Sequence, residues 1–190
     1  VDTFRASVAK SAVEQGVAMV NDISAGWLDE QMMPTVAELK VPYIMMHMRG
    51  TPQTMQTLTQ YDDVLKEMIF YFSERIQKAR SFGISDIIID PGFGFGKSLE
   101  HNYQLLAQFA LFAEHGYPVL AGISRKSMLG KVTQQEVGDR LVPSIAAAIM
   151  AVERGAKIVR THDVRETMDA LRVWQAMREQ EFTSFIMKND

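Results

Sequence analysis

Three consecutive isoleucines, Ile87 to Ile89, run straight into a carboxylate, Asp90, and then into Pro91-Gly92 with further glycines at 94 and 96. A continuous β-branched run has no polar face to turn to water. It therefore predicts a strand buried on both sides, as in a parallel sheet covered by helices. A charge at the end of such a strand, next to a loop that can approach a ligand closely, is the arrangement of a site in an α/β protein. The phosphate-loop pattern G-x-x-x-x-G-K-[ST] fails because Pro91 stands where its first glycine belongs, and the spacing G-x-G-x-G is not the dinucleotide fingerprint. Taken alone, Asp90 reads equally as a helix cap or as a functional charge.

The pattern recurs along the chain. Val1-Asp2-Thr3 reads as a strand end, and 5–15 as a helix stopped by Gly16. A strand over 17–23 ends in Asn21 and Asp22. A short helix over 34–40 leads to a strand over 41–48 that closes on His47, Arg49 and Gly50. Apolar residues at three- and four-residue steps from Tyr61 to Ala79 predict a long amphipathic helix, stopped by Gly83. A helix over 102–114 and a strand over 118–124 follow, the latter ending in Ser124-Arg125-Lys126-Ser127. Residues 128–137 read as loop, and 138–154 as a helix with Leu141, Ile145, Ile149 and Val152 inward. A strand over 157–161 ends in Arg160, His162 and Asp163, and a helix over 164–181 turns Met168, Leu171, Trp174 and Met177 inward. The tail, 182–190, carries no assignment.

Strands separated by helical crossovers give a parallel sheet flanked by helices. Polar clusters at the C-terminal ends of successive strands mark the rim on which a (β/α)₈ TIM barrel carries its active site. A doubly wound sheet, which binds ligands on the same side, is the competing architecture. About five whole strands and the stub of a sixth fall short of the eight strands and ~250 residues of the usual barrel. The expectation is one domain over 1–190, an incomplete C-terminal portion of a barrel from which two or so N-terminal βα units are absent.

Composition narrows the function classes. A net charge of −3 gives no basic surface for nucleic acid or anionic membrane. The absence of cysteine excludes disulfides and thiol catalysis and leads to a cytoplasmic expectation. No apolar run approaches the ~20 residues that span a bilayer. Thirteen methionines read as flexible core filling.

The rim collects Asp2, Asp22, Asp90 and Asn21, which could read the donor edge of a flat heterocycle. Arg125, Lys126 and Arg160 suit an anion such as phosphate. No Ser-His-Asp order stands out. A metal site from His47, His162 and a carboxylate lacks any H-x-H or H-E-x-x-H pattern, so no residue is assigned to a metal. His101 and His115 read as surface residues.

Six motifs together resemble one family: VDT (1–3), VNDIS (20–24), MHMRGTPQTMQ (46–56), DIIIDPGFGFGK (86–97), GISRKSMLG (122–130) and RTHDV (160–164). In order and spacing the chain resembles dihydropteroate synthase. The resemblance implies a (β/α)₈ barrel that condenses 6-hydroxymethyl-7,8-dihydropterin pyrophosphate with p-aminobenzoate, releasing pyrophosphate in folate biosynthesis. It implies that Asp2, Asn21 and Asp90 read the pterin edge and that Lys126 meets the ring's carbonyl and N5 side. Met46 and Gly122 would line the pocket, while Arg160 and His162 hold the pyrophosphate. Ser127 and the stem of Lys126 would meet p-aminobenzoate, with Phe95 and Lys97 at the wall where sulfonamides also bind. Asp90, Lys126, Arg160 and His162 are the implied catalytic set.

The resemblance also implies Mg²⁺, with its ligands expected from the absent N-terminal portion and the substrate pyrophosphate, and a homodimer. On this reading the chain by itself turns over very slowly or not at all. Two rivals remain. A corrinoid-dependent pterin methyltransferase needs no pyrophosphate clamp, and a non-catalytic pterin-binding module would bind without product release.

Overall fold

The computed structural model describes residues 1–51, 53, 54 and 57–186, with side chains through residue 180. Positions 52, 55 and 56 of the MHMRGTPQTMQ motif and the end of the unassigned tail, 187–190, lie outside the described residues.

Among the described residues five strands are present: β1 (Val20–Asp22), β2 (Tyr43–Met46), β3 (Ile87–Asp90), β4 (Leu120–Ala121) and β5 (Ile158–Val159). β1 pairs with β2, β2 with β3 and β4 with β5, all parallel and in chain order. A parallel bridge between Ile89 and Val119 joins β3 to β4, and one between Asp2 and Asn21 adds the first residues as a sixth segment. β3 covers the isoleucine run and Asp90 as the sequence suggests, while the other strands are shorter than the sequence reading, because pairing stops where the chain leaves for a loop.

Helices fill the connections. α1 (Ala6–Glu14), α2 (Met32–Leu39) and α3 (Val64–Ser81) precede β3. α3 starts at Asp63, whose carboxylate accepts from the Leu65 and Lys66 amides, so Tyr61 lies outside the helix. Between β3 and β4, the single expected helix is two: α4 (Leu99–Ala107), capped by Ser98 and His101, and α5 (Ala110–Ala113). After β4 the expected loop is largely helical, as α6 (Ser127–Thr133) and a short turn at Val137–Asp139. Met128 and Leu129 bury themselves there, and Gly130 lets the Arg140 guanidinium lie against the helix. α7 (Leu141–Glu153) and α8 (Val164–Ile186) complete the order.

Both late helices are rotated from the expected faces. α7 buries the small residues Ser144, Ala147, Ala148 and Ala151, which allow close approach to the core. On α8 Thr167 is buried, while Met168 and Met177 are exposed. Met168 and Leu171 look onto an apolar cavity of about 550 Å³ between α8, β5 and the first segment.

The sheet is curled. In a flat sheet, four steps of about 4.8 Å would put β1 roughly 19 Å from β5. Yet Arg160, just past β5, donates to Asn21 on β1 at 3.1 Å. Sequential parallel strands closing on themselves in this way form a barrel sector, not an open doubly wound sheet.

Alternation sorts the side chains. Ile44, Ile88 and Leu120, with Met19 and Ile158, form a small apolar cluster separate from the main core. These are the inward residues of β2 to β5 and of the position just before β1. Two residues further along each strand, on the same face, stand Asn21, Met46, Asp90, Gly122 and Arg160. The apolar layer is thus the floor beneath the site.

Candidate active site

Asp90 anchors the geometry. It closes β3, and its carboxylate is 1% exposed against 44% for the Arg160 side chain. One carboxylate oxygen accepts from the Gly92 amide at 2.8 Å and the other from Arg160 Nη2 at 2.8 Å. Arg160 Nη1 reaches Asn21 Oδ1, and Asn21 Nδ2 donates to Asp2 Oδ1 at 2.9 Å. Four strand ends are thereby joined in one series, Asp90–Arg160–Asn21–Asp2. Gly122 makes room for it, since a Cβ there would lie 2.7 Å from Arg160 Nη2.

Lys126 approaches from the β4–α6 loop. Its Nζ lies 4.1 Å from the centroid of the Phe95 ring, within cation–π range. Burial lowers its pKa, Asp90 opposes that shift, and Arg160 adds to it. His162 Nδ1 is 2.9 Å from Ser124 Oγ, which also accepts from the His162 amide.

A cavity of about 270 Å³ is walled by these groups: Asp2, Asn21, Met46, Phe95, Gly122, Lys126, Arg160 and His162 all border it, together with Ile23, Ser124 and Thr161. Two cations at its wall and a buried carboxylate behind one of them suit a ligand that carries both a hydrogen-bonding ring and an anionic group.

Three sequence candidates lie elsewhere around it. Asp90 sits behind Arg160. Ser127, first residue of α6, is exposed beside the cavity wall. Lys97 is buried beneath the glycine loop, where Nζ meets His47 Nδ1 at 3.1 Å, Gly92 O at 3.0 Å and Phe95 O at 2.9 Å. Its Nζ is held by protein partners, donating to the two loop carbonyls, and burial pulls its pKa down to about 7. Burial, with Lys97 and then Arg49 adding to it, likewise holds the His47 pKa well below its usual value.

Two rim residues prove structural. Asp22 is buried and accepts from the Ser24 amide and hydroxyl, the Gly26 amide and the Tyr43 hydroxyl at 2.6–2.8 Å. His47 faces Lys97 and stacks edge-on against Tyr71, which leaves the His47–His162 metal pairing without geometric support. Of the two helix-region histidines, His101 caps α4 and His115 is half-buried near Phe72. The sequence reading missed Ile23 and Thr161 on the wall. It also left Asp163 without a partner, although the Asp directly follows His162 in the RTHDV motif.

Residues 1–162 match a family model described as pterin binding enzyme. A dihydropteroate synthase from Haemophilus influenzae is 44% identical over 178 residues, covering 93% of this chain and 64% of that protein. The crystal structure of dihydropteroate synthase from Stenotrophomonas maltophilia with active site-bound imidazole superposes with a TM-score of 0.91 at 43% identity, over 93% of this chain and 68% of that one. Dihydropteroate synthase from Xanthomonas albilineans in complex with 7,8-dihydropteroate gives 0.87 at 44% identity, over 94% of this chain and 66% of that one. The chain spans less than two thirds of the length of curated relatives from Haemophilus influenzae and Escherichia coli. The family model nevertheless takes in every strand of the curled sheet and every wall residue of the cavity, and the chain belongs to the pterin-binding enzyme family.

Proposed function

We propose that this chain carries the pterin pocket of a dihydropteroate synthase, the transferase that joins 6-hydroxymethyl-7,8-dihydropterin pyrophosphate to p-aminobenzoate. The observation that carries the reading is the series Asp90–Arg160–Asn21–Asp2 at one cavity, with Lys126 and His162 beside it. In this reading Asp90, Asn21 and Asp2 take the N–H edge of the pterin, Met46 and Gly122 flank the ring, and Lys126 faces its carbonyl side. Arg160 and His162 turn to the pyrophosphate.

The bond between the pterin methylene carbon and the pyrophosphate oxygen breaks with its electron pair leaving on the pyrophosphate. The arylamine lone pair then forms the new C–N bond, and the amine proton passes to solvent. Buried anionic charge on Asp90 favours the cation that develops on the pterin, and Arg160 with His162 favours the departing anion. Phe95, Ser127 and the stem of Lys126 form the side from which p-aminobenzoate, or a sulfonamide in its place, approaches.

Among the described residues no three His, Asp or Glu side chains converge where a metal ion could be held. These residues do not by themselves hold a Mg²⁺, whose ligands in this reading come from the substrate pyrophosphate and from the N-terminal portion of the family that this chain does not span. No helix of the described residues is long and apolar enough to cross a membrane, and a cytoplasmic setting accords with the cysteine-free composition. Exposed Val142, Met150, Val173 and Met177 on α7 and α8 support association into a homodimer. Calorimetry with the pterin pyrophosphate, followed by an assay with p-aminobenzoate, tests the reading. Binding supports the pocket reading, even with the very slow turnover expected of the chain by itself; product at any rate excludes the non-catalytic module, and no binding refutes both.

A further inference from the structure

Arg125 lies between Ser124, which holds His162, and Lys126, which faces Phe95. Its backbone is left-handed, with φ +56°, a region that side chains bearing a Cβ rarely enter. Separate elements hold it there. Its amide donates to Ser144 Oγ of α7 at 2.9 Å, and its carbonyl accepts from Arg140 at 3.1 Å. Its guanidinium grips Asp163 with two bonds, Nε to Oδ2 at 3.0 Å and Nη2 to Oδ1 at 2.5 Å. Asp163 is fixed in turn: its amide donates to Thr161 Oγ1, and its carbonyl accepts from the Thr167 amide and hydroxyl at the start of α8.

Neither side chain borders the cavity, yet each is the immediate neighbour of one that does. We propose that the bidentate Arg125–Asp163 pair is a positioning latch. It ties the loop carrying Lys126 to the segment carrying Arg160 and His162, and so sets the distance between the ring-facing cation and the pyrophosphate-facing groups. The inference rests on the pterin pyrophosphate reading of the pocket. A planar guanidinium meeting both carboxylate oxygens fixes orientation as well as distance, which a lysine at the same place cannot do.

The test compares the chain as it stands with Asp163→Asn, Asp163→Glu, Arg125→Lys and Arg125→Asn. Calorimetry measures affinity for 6-hydroxymethyl-7,8-dihydropterin and for its pyrophosphate, and the readout is the ratio of the two. Asp163→Asn and Arg125→Lys are expected to shrink that ratio at least tenfold while ring affinity stays within threefold, since Asp90 and Asn21 lie outside the latch. Asp163→Glu is expected to recover part of the loss. Arg125→Asn, which tolerates left-handed backbone but has no guanidinium, should behave as Asp163→Asn. A general loss of structure would weaken both ligands together. A ratio within twofold of wild type in Asp163→Asn, or wild-type behaviour of Arg125→Asn, overturns the latch.

A ligand-independent arm separates failure of the latch from failure of the functional reading. Residual dipolar couplings should give positive φ at Arg125 in the wild type and lose it in Asp163→Asn. Negative φ in the wild type, or positive φ kept in the variant, overturns the proposal even if neither pterin binds.

Discussion

Replacing Arg160 by alanine should move two affinities in opposite directions. In the structure its guanidinium occupies Asp90 Oδ2 and Asn21 Oδ1, the acceptors that the pterin edge would take. The ring must therefore displace it. Each charge-assisted hydrogen bond contributes roughly 1.5–3 kcal/mol when desolvated. The Arg160 side chain is 44% exposed, so solvent screening reduces the pair of bonds to about 1–2 kcal/mol together. Arg160→Ala should accordingly tighten binding of 6-hydroxymethyl-7,8-dihydropterin by about 5–30-fold. Leaving Asp90 buried and unpaired in the unbound variant acts in the same direction. The pyrophosphate loses its bidentate partner, at roughly 2–4 kcal/mol, so binding of the pyrophosphorylated ligand should weaken about tenfold even after the ring's gain. Calorimetry on both ligands reads the pair of changes. Weaker binding of both would show that Arg160 does not compete with the ring, and would refute the reasoning.

Gly122→Ala brings a Cβ to 2.7 Å from Arg160 Nη2, so Arg160 must swing outward and release its two bonds, and pocket affinity should change several-fold with a loss of stability of about 1–2 kcal/mol by urea denaturation. Asp22→Asn strips a buried carboxylate that accepts four hydrogen bonds, so it should cost about 3 kcal/mol of stability and leave the ratio of the two pterin affinities unchanged. Lys97 titrates near 7 in the fold and near 10.5 when unfolded, so the folded state binds fewer protons between these values. Its contribution to stability should therefore rise with pH from about 7 towards 10 and stay flat below 7. The gain is at most about 3 kcal/mol between pH 7 and 9. Urea midpoints across that range should climb in the wild type and level off in Lys97→Met; parallel curves would remove Lys97 as the cause.

Much of the site was legible because strand ends are written in the sequence: an apolar run, then a polar residue, then a turn. What the run does not announce is parity. Asn21 and Asp22 are adjacent and equally polar, but Asn21 shares a face with Met19 and opens on the cavity, whereas Asp22 points the other way and ties down the turn at Ser24–Gly26. His47 fails as a rim residue for the same reason, one step out of phase with Ile44 and Met46. A rule of two residues beyond the inner apolar layer would have separated Asn21, Asp90 and Arg160 from Asp22 and His47. Helix α6 was hidden because Gly130 and the β-branched Val132 and Thr133 depress helix propensity, and tertiary burial of Met128 and Leu129 overrode it. The rotation of α7 was hidden because burial went to alanines, while the periodicity of its larger Ile145 and Ile149 pointed elsewhere. Lys97 stood in a motif and looked like a site residue; only coordinates reveal that its Nζ donates to carbonyls within the loop.

A crystal structure of the chain with 6-hydroxymethyl-7,8-dihydropterin pyrophosphate tests the pterin pocket most directly. The ring should lie in the cavity among Asn21, Asp90 and Lys126, with Arg160 withdrawn from Asp90 and turned, beside His162, onto the phosphates. Ligand bound anywhere else, or bound there with the Arg160–Asp90 pair still closed at 2.8 Å, would contradict it.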